Sequence, residues 1–384
     1  MGDREVQHIL LQVLYAALKG TEDTRSIKDR LTPNIIDSIY LLAKKHDLAH
    51  VVSSFVHSNK IDIDQKLLLK LRKEEYLSVY RNEQTNRAYK KICAVFDENK
   101  IAYIPLKGSV LRPYYPYESM RTSCDIDLLV HESDLDRAIS SLETKGYQYK
   151  KRNGHDVSLF SSNRVHLELH FSLHENMDSL DAVLKDAWEY AVPVAGAQYK
   201  FSDQFFAFHM FAHMAYHFTS GGCGIRSLLD ISTMEHKMGI SFLHAKELLE
   251  KAGIYNFAYE MSKLADLFFA NGKTDTFSDL LLDYICRGGI YGSISNKIAA
   301  KKAKSNSPVL YVLSRLFLPY KSMCILYPFL KNHPYLLPFF WIARWIKTVF
   351  CGDKKQIFAE ISYSSNVSSR TIADIKILHN RLGM

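Results

Sequence analysis

The sequence lacks several signatures that would place it at once. Its six cysteines, Cys93, Cys124, Cys223, Cys286, Cys324 and Cys351, are scattered over 384 residues without a CxxC pair. The segment MGDREVQHILLQVLYAALKG carries acidic residues where a secretory leader needs basic ones, and Val6 stands where a myristoylation signal has Ser or Thr. The most apolar run, PYLLPFFWIARWIKTVF, is interrupted by Arg344 before it reaches the roughly 20 apolar residues of a membrane span. Internal repeats and low-complexity tracts are missing too. Together these absences predict a reduced, cytoplasmic protein.

What is present is enough to build real cores: 47% of the residues are hydrophobic and 12% aromatic, in a chain long enough for two or three domains. The net charge of +8 is unevenly placed. Residues 301–384 hold 13 Lys and Arg against 3 Asp and Glu, so the basic balance belongs to the tail. In that tail Leu337, Phe340, Trp341, Arg344 and Trp345 form one broad helical stripe with a cation inside it. Three readings stand for it: an extra packed layer, a helix on the inner face of a membrane giving peripheral contact, or a nucleic-acid patch. Packing is the preferred one.

Texture divides the chain into four. Residues 1–99 read as amphipathic helices, with apolar positions Ile9, Leu10, Val13, Leu14 and Leu18 at helical spacing and a long charged helix from Asp64 to about Asn99. Residues 100–175 switch to short β-like runs, AYIP, DIDLLV, YQYKK, VSLF and VHLELHF, with one helix from about Asp134 to Lys145. Residues 176–287 return to helices. Residues 288–384 open with a linker, Gly288 to Ser307, and continue into the basic aromatic tail. The fold class is therefore α+β, a small core with a mixed sheet flanked by N-terminal and C-terminal helical regions.

The segment CDIDLLV poses the chemical question. Asp125 and Asp127 lie two apart on a strand and so share one face, where two like charges repel by a few kcal/mol at an effective dielectric of about 20. A cation should be there. Upstream, LKGS puts Gly108 and Ser109 at a strand-to-helix turn suited to phosphate, and a phosphate beside paired carboxylates suggests Mg²⁺ (or Mn²⁺). VHLELHF supplies a third carboxylate, Glu168, on one strand face with His166 and His170, while Leu167 and Leu169 point the other way. Lys107 and Arg121 can neutralise triphosphate charge, Lys as a point charge and Arg as a fork.

These residues carry a resemblance. Gly-Ser, then Asp-x-Asp on a strand, then a lone acidic residue on a later strand resembles the polymerase β-type nucleotidyltransferase superfamily. Over about residues 100–260, LKG, CDIDLLV, GY, VHLELHF and RSLLDI resemble a bacterial family of uncharacterised nucleotidyltransferases. The resemblance implies a metal-dependent enzyme transferring a nucleoside monophosphate from an NTP to an acceptor, which could be a small molecule, sugar, protein or RNA. It puts the nucleotide phosphates at Gly108 and Ser109 and the metals at Asp125, Asp127 and Glu168, with Glu168 as candidate base. A competing reading is a non-catalytic binding protein of the same fold, membrane-associated in surface polysaccharide assembly. One departure is the 15 residues between Ser109 and Asp125, so that RPYYPYESMRTS must loop out or extend the helix.

Two further patterns read as structural. His209, His213 and His217 recur every four residues with no HExxH glutamate, which favours core histidines over a metal site. Arg226 and Asp230, also four apart, read as an ion pair within one helix.

Overall fold

The computed structural model describes residues 3–20, 24–270, 275–290, 292–304, 316–351 and 368–384. It is a mixed α+β structure. Seven strands form one sheet: β1 (Tyr103–Pro105), β2 (Asp125–Val130), β3 (Gln148–Arg152), β4 (Asp156–Phe160), β5 (His166–His170), β6 (Ala191–Ala195) and β7 (Gln198–Phe201), in the order β3-β4-β5-β2-β1-β7-β6. The central pair β2 and β5 is parallel, as is β1 with β7, and the other neighbours are antiparallel.

The strand pleat separates the two faces. Ile126, Leu128 and Val130 of β2, with Leu167 and Leu169 of β5 and Val157 and Leu159 of β4, point to the back and are buried. There they meet Ile92, Val95 and Phe96 of the long helix Gln65–Glu98 and Ala138 and Leu142 of the helix Leu135–Glu143. The helix Gln65–Glu98 starts where the Asp64 side chain accepts from the Leu67 amide at 3.0 Å, satisfying one of its orphan donors. The front face is a different environment, lined by Asp125, Asp127, His166, Glu168 and His170.

The helical regions on either side of the strands in sequence share one core. Ile9, Leu10 and Leu14 of Asp3–Lys19 and Ile36 and Ile39 of Pro33–Lys45 belong to the same apolar cluster as Phe205, Phe208 and Phe211 of Asp203–Thr219 and Leu228 of Ile225–Lys237. Part of the stretch read as a linker is a helix, Ile294–Lys304, whose Ala299 and Ala300 enter that cluster alongside Ile375 and Leu378 of the helix Ser369–Leu382; residues 305–307 of that stretch lie outside the described residues. Small residues let the two helices approach, a feature that loses its apolar period among lysines in the sequence.

The hairpin β6–β7 interrupts a region that reads as helical. Pro193 and the exposure of Val192 and Val194 blur its alternation. It turns at Gly196, with φ of +58°, where a Cβ would lie 2.6 Å from an Asp97 carboxylate oxygen. That oxygen instead accepts from the Ala197 amide at 2.8 Å, docking the hairpin on the end of the long helix.

Among the described residues no helix is long and apolar enough to cross a membrane. The tail has a small cluster of its own, in which Met323, Cys324 and Leu330 are buried against Leu337, Phe340 and Trp341. Trp341 and Trp345 flank the Phe317 ring at 5.1 and 5.3 Å and donate to the carbonyls of Leu318 and Leu316. The outer side of the helix Leu337–Cys351 exposes Phe339, Ile342 and Ile346, below an exposed Tyr335.

Candidate active site

Register brings the acidic residues together. In the parallel pairing of β2 with β5, Asp125 lies opposite His166, Asp127 opposite Glu168 and Leu129 opposite His170. Because the period of both strands is two, all these side chains stand on the front face. Donor atoms of Asp127, Glu168 and His170 lie within 4.8 Å of one another, as do those of Asp125, His166 and Glu168.

The cation nearest this group is Lys107. Its Nζ is 3.5 Å from Asp127 Oδ1, and the residue sits just past β1 with φ of +45°, a conformation unusual for a residue with a Cβ. Holding a lysine there costs about 1–3 kcal/mol, and such strain tends to collect at functional sites. His170 Nε2 reaches the same Asp127 oxygen at 3.1 Å. Although burial pushes the other way, Lys107 and His170 hold the Asp127 carboxyl well below the usual carboxylate range. Asp125 and Glu168 are less well supplied. Burial, then the charge of Asp127, raises Asp125, and burial with Asp127 and Asp125 pushes Glu168 up to about 7. One lysine cannot balance three carboxylates.

Gly108 and Ser109 open the short helix Gly108–Leu111 beside this group. The Ser109 amide is already donated to the Leu106 carbonyl at 3.0 Å, so Ser109 has its hydroxyl to offer a ligand. Gly108 lies over Arg121, and a Cβ there would be 3.0 Å from Arg121 Nη1.

Arg121 itself is committed elsewhere. Its Nε and Nη2 donate to the two oxygens of Asp230 at 2.8 and 2.9 Å, and Tyr115 Oη donates to Asp230 at 2.7 Å. Arg226, the expected partner of Asp230 within the helix, turns instead to Asp47 at 3.5 Å and the Thr122 carbonyl at 3.2 Å. The segment between Ser109 and Asp125 begins by extending the helix, because the 3₁₀ turn Arg112–Tyr114 follows Gly108–Leu111 without a break. It folds as two single 3₁₀ turns, Arg112–Tyr114 and Glu118–Met120, with Tyr115 and Met120 in the main core and Arg112 bonded to Ser123, Asn86 and the Arg121 carbonyl. Its aromatic and basic side chains are anchors, and the sequence does not show for what.

The site opens into a cleft of about 330 Å³, a size suited to a small ligand. Lys107, Gly108, Ser109, Arg121, Asp125, Asp127 and Glu168 line it from the sheet side, and His209, His213 and His217 from the facing helix. The histidines read from the sequence as core thus face the cleft, with only His209 fully buried. Glu175, which the sequence reading passed over, lies on the connection after β5 and accepts from His213 Nδ1 at 2.7 Å. The signal was present as His174-Glu175 right after the strand, but no local rule links it to a helix almost forty residues on.

No curated protein and no solved structure matches the chain. A family described as uncharacterised nucleotidyltransferase does, over residues 33–270, a span that takes in all seven strands and the residues named above as lining the cleft. With well over half of its length matched, the chain belongs to the uncharacterised nucleotidyltransferase family.

Proposed function

We propose that the protein is a metal-dependent nucleotidyltransferase, built on a polymerase β-like core of bacterial type, that moves a nucleoside monophosphate from an NTP to an acceptor. The observation that carries this reading is the register of β2 on β5, which gathers Asp125, Asp127 and Glu168 on one face beside Lys107. In this scheme residues 100–175 carry the chemistry, residues 1–99 buttress the sheet, and residues 176–287 close the cleft over it.

The donor set fits a hard divalent cation. Glu168 shares one group of close donor atoms with Asp125 and His166 and a second with Asp127 and His170, and Mg²⁺ or Mn²⁺ is held by carboxylates together with substrate phosphates. Asp125, Asp127 and Glu168 would hold it, and when bound it supplies charge neutralisation to the triphosphate and the departing pyrophosphate. The other tasks fall to the chain. Lys107 offers a point charge to the phosphates, Ser109 a hydroxyl, and Gly108 the room for close approach. His170 keeps Asp127 oriented. Arg121, bound to Asp230, braces the phosphate loop from beneath Gly108 instead of gripping phosphate itself.

The test is an incubation of the wild type with each of four α-labelled NTPs and Mg²⁺ or Mn²⁺, in cell extract as a source of acceptor. Label should pass to an acceptor with release of pyrophosphate, and the Asp127→Asn variant should do neither. A wild type that binds NTP and never turns it over would overturn the enzymatic reading in favour of a binding protein.

For the tail, the exposed stripe of Tyr335, Phe339, Ile342 and Ile346 beside Lys347 supports peripheral contact with an anionic bilayer. Each nearby Lys or Arg contributes roughly 1 kcal/mol at such a surface. Full-length protein should then sediment with anionic vesicles at low salt and release as salt rises, and a Phe339→Ser, Ile342→Ser variant that sediments as well as wild type would sink the assignment.

A further inference from the structure

Across the cleft from the carboxylates runs a chain of three side chains that binding a cation leaves unused. Glu175 is 9% exposed and accepts from His213 Nδ1 at 2.7 Å. His213 Nε2 meets His217 Nε2 at 3.1 Å, with the two rings nearly perpendicular at 86°. A carboxylate can only accept, so the proton of His213 is on Nδ1 and its Nε2 holds a lone pair. The proton between the two rings then belongs to His217 Nε2, which leaves the lone pair of that ring on Nδ1. Each tautomer is set by the next group in line, as in a carboxylate–histidine pair arranged to receive a proton.

Two observations favour proton transfer over a metal or a structural role. The three-ligand clusters among the described residues all lie on β2 and β5, so the two histidines have no third ligand with which to hold an ion. Both histidines line the same cleft as Lys107, Asp125, Asp127 and Glu168, which puts them on the side from which an acceptor would approach. Burial keeps both imidazoles neutral, His213 well below its ordinary range and His217 down to about 3, with the Glu175 carboxylate working against the shift at His217.

We propose that His217, His213 and Glu175 form a proton relay for the nucleophile, and that the acceptor is therefore a hydroxyl-bearing molecule. Resting on the nucleotidyltransferase reading, this inference names the acceptor class and moves the base from Glu168, which a cation would occupy. The acceptor oxygen forms a bond to the α-phosphorus, the bond from that phosphorus to pyrophosphate breaks, and the electron pair leaves with pyrophosphate. The acceptor O–H proton passes to His217 Nδ1 while the His217 Nε2 proton moves to His213 Nε2. The resulting imidazolium stays paired with Glu175 until solvent removes the proton. A carboxylate or phosphate acceptor is ionised already and would have no proton for this relay to receive.

The experiment uses the full chain, Mn²⁺, labelled NTP and concentrated glycerol as a hydroxyl probe, with NTP binding measured separately. His217→Ala, the least buried change, and His213→Asn should each lower nucleotidyl transfer to glycerol by about 10²–10⁴-fold with NTP affinity unchanged. Added imidazole should restore part of the His217→Ala rate, an effect that a structural histidine would not show. Transfer unchanged in His217→Ala, or a loss that imidazole cannot relieve, overturns the relay. A wild type that binds NTP yet makes no glycerol adduct overturns the hydroxyl assignment while leaving the nucleotide site standing. A wild type that binds no NTP removes both.

Discussion

Two groups of charge lie side by side in this protein, one buried and one half-buried, and they are finished differently. Around Asp230 the account is closed: two donors of Arg121 and the Tyr115 hydroxyl meet its oxygens at 2.7–2.9 Å, and the Arg121 guanidinium is held charged, its burial outweighed chiefly by Asp230. On the front of β2 and β5, Asp125, Asp127 and Glu168 share one lysine, at 3.5 Å, and His170. Matched charge with full hydrogen bonding makes scaffold, since nothing is left over to bind a ligand. Unmatched charge, held in place by the same fold, makes a site.

The sharpest break of this comparison comes from removing charge on each side. Asp125→Asn should lower nucleotidyl transfer by at least about a thousandfold, roughly 4 kcal/mol, yet leave the melting temperature in EDTA unchanged or raised, because burial and the charge of Asp127 already hold its carboxyl above the usual range. Asp230→Asn or Arg121→Met should do the reverse to the scaffold and cost about 3–5 kcal/mol in urea unfolding, since each leaves a buried charge without its partner. A stability loss in Asp125→Asn as large as that in Asp230→Asn would erase the distinction.

A cation should sharpen it further. At about a hundred times its dissociation constant, Mn²⁺ should stabilise the wild type by about 2.7 kcal/mol, measured as a rise in melting temperature, and should not stabilise Asp125→Asn, Asp127→Asn to the same degree. Gly108→Ala links the two regions. Its Cβ would press on Arg121, whose far end is pinned to Asp230 and cannot move away cheaply, so about 1–3 kcal/mol of stability should be lost along with NTP affinity.

The smallest effect is one of pH. Glu168 has a folded pKa of about 7, raised above its ordinary 4.5 by burial and its neighbours. The folded state therefore holds this proton more tightly than the unfolded chain, and the stability this contributes is fully present below about pH 4.5 and lost as pH rises through about 7. His213 and His217 slope the opposite way, their folded values being depressed, so the quantity to measure is the difference between wild type and Glu168→Gln in EDTA. Glu168→Gln should gain on the wild type across that window and gain nothing once Mn²⁺ is present.

How much of this was legible beforehand depended on range. The short runs DIDLLV and VHLELHF are strands in the structure, because alternation of side chains is a local consequence of the extended chain. The hairpin β6–β7 was not visible, since Pro193 and exposed valines break the pattern that marks a strand. The helix Ile294–Lys304 was hidden for a similar reason, its contact surface being alanine among lysines. Arg226 with Asp230 was a sound local pairing that lost to a better one: Arg121, more than a hundred residues earlier in the chain, offers Asp230 two parallel bonds in a dry setting.

By itself, then, the sequence determined that Asp125 and Asp127 share a face, that His166, Glu168 and His170 share another, and that a cation is wanted there, because these follow from a two-residue period and Coulomb repulsion. Only the tertiary structure decided that the two faces are the same face, through the parallel register of β2 on β5. It also decided that Lys107 leans over Asp127 while Arg121 is taken by Asp230, and that Glu175 meets His213 on the far side of the cleft from the carboxylates. Those choices depend on which distant surfaces pack together, and on the desolvation that makes one partner worth far more than another.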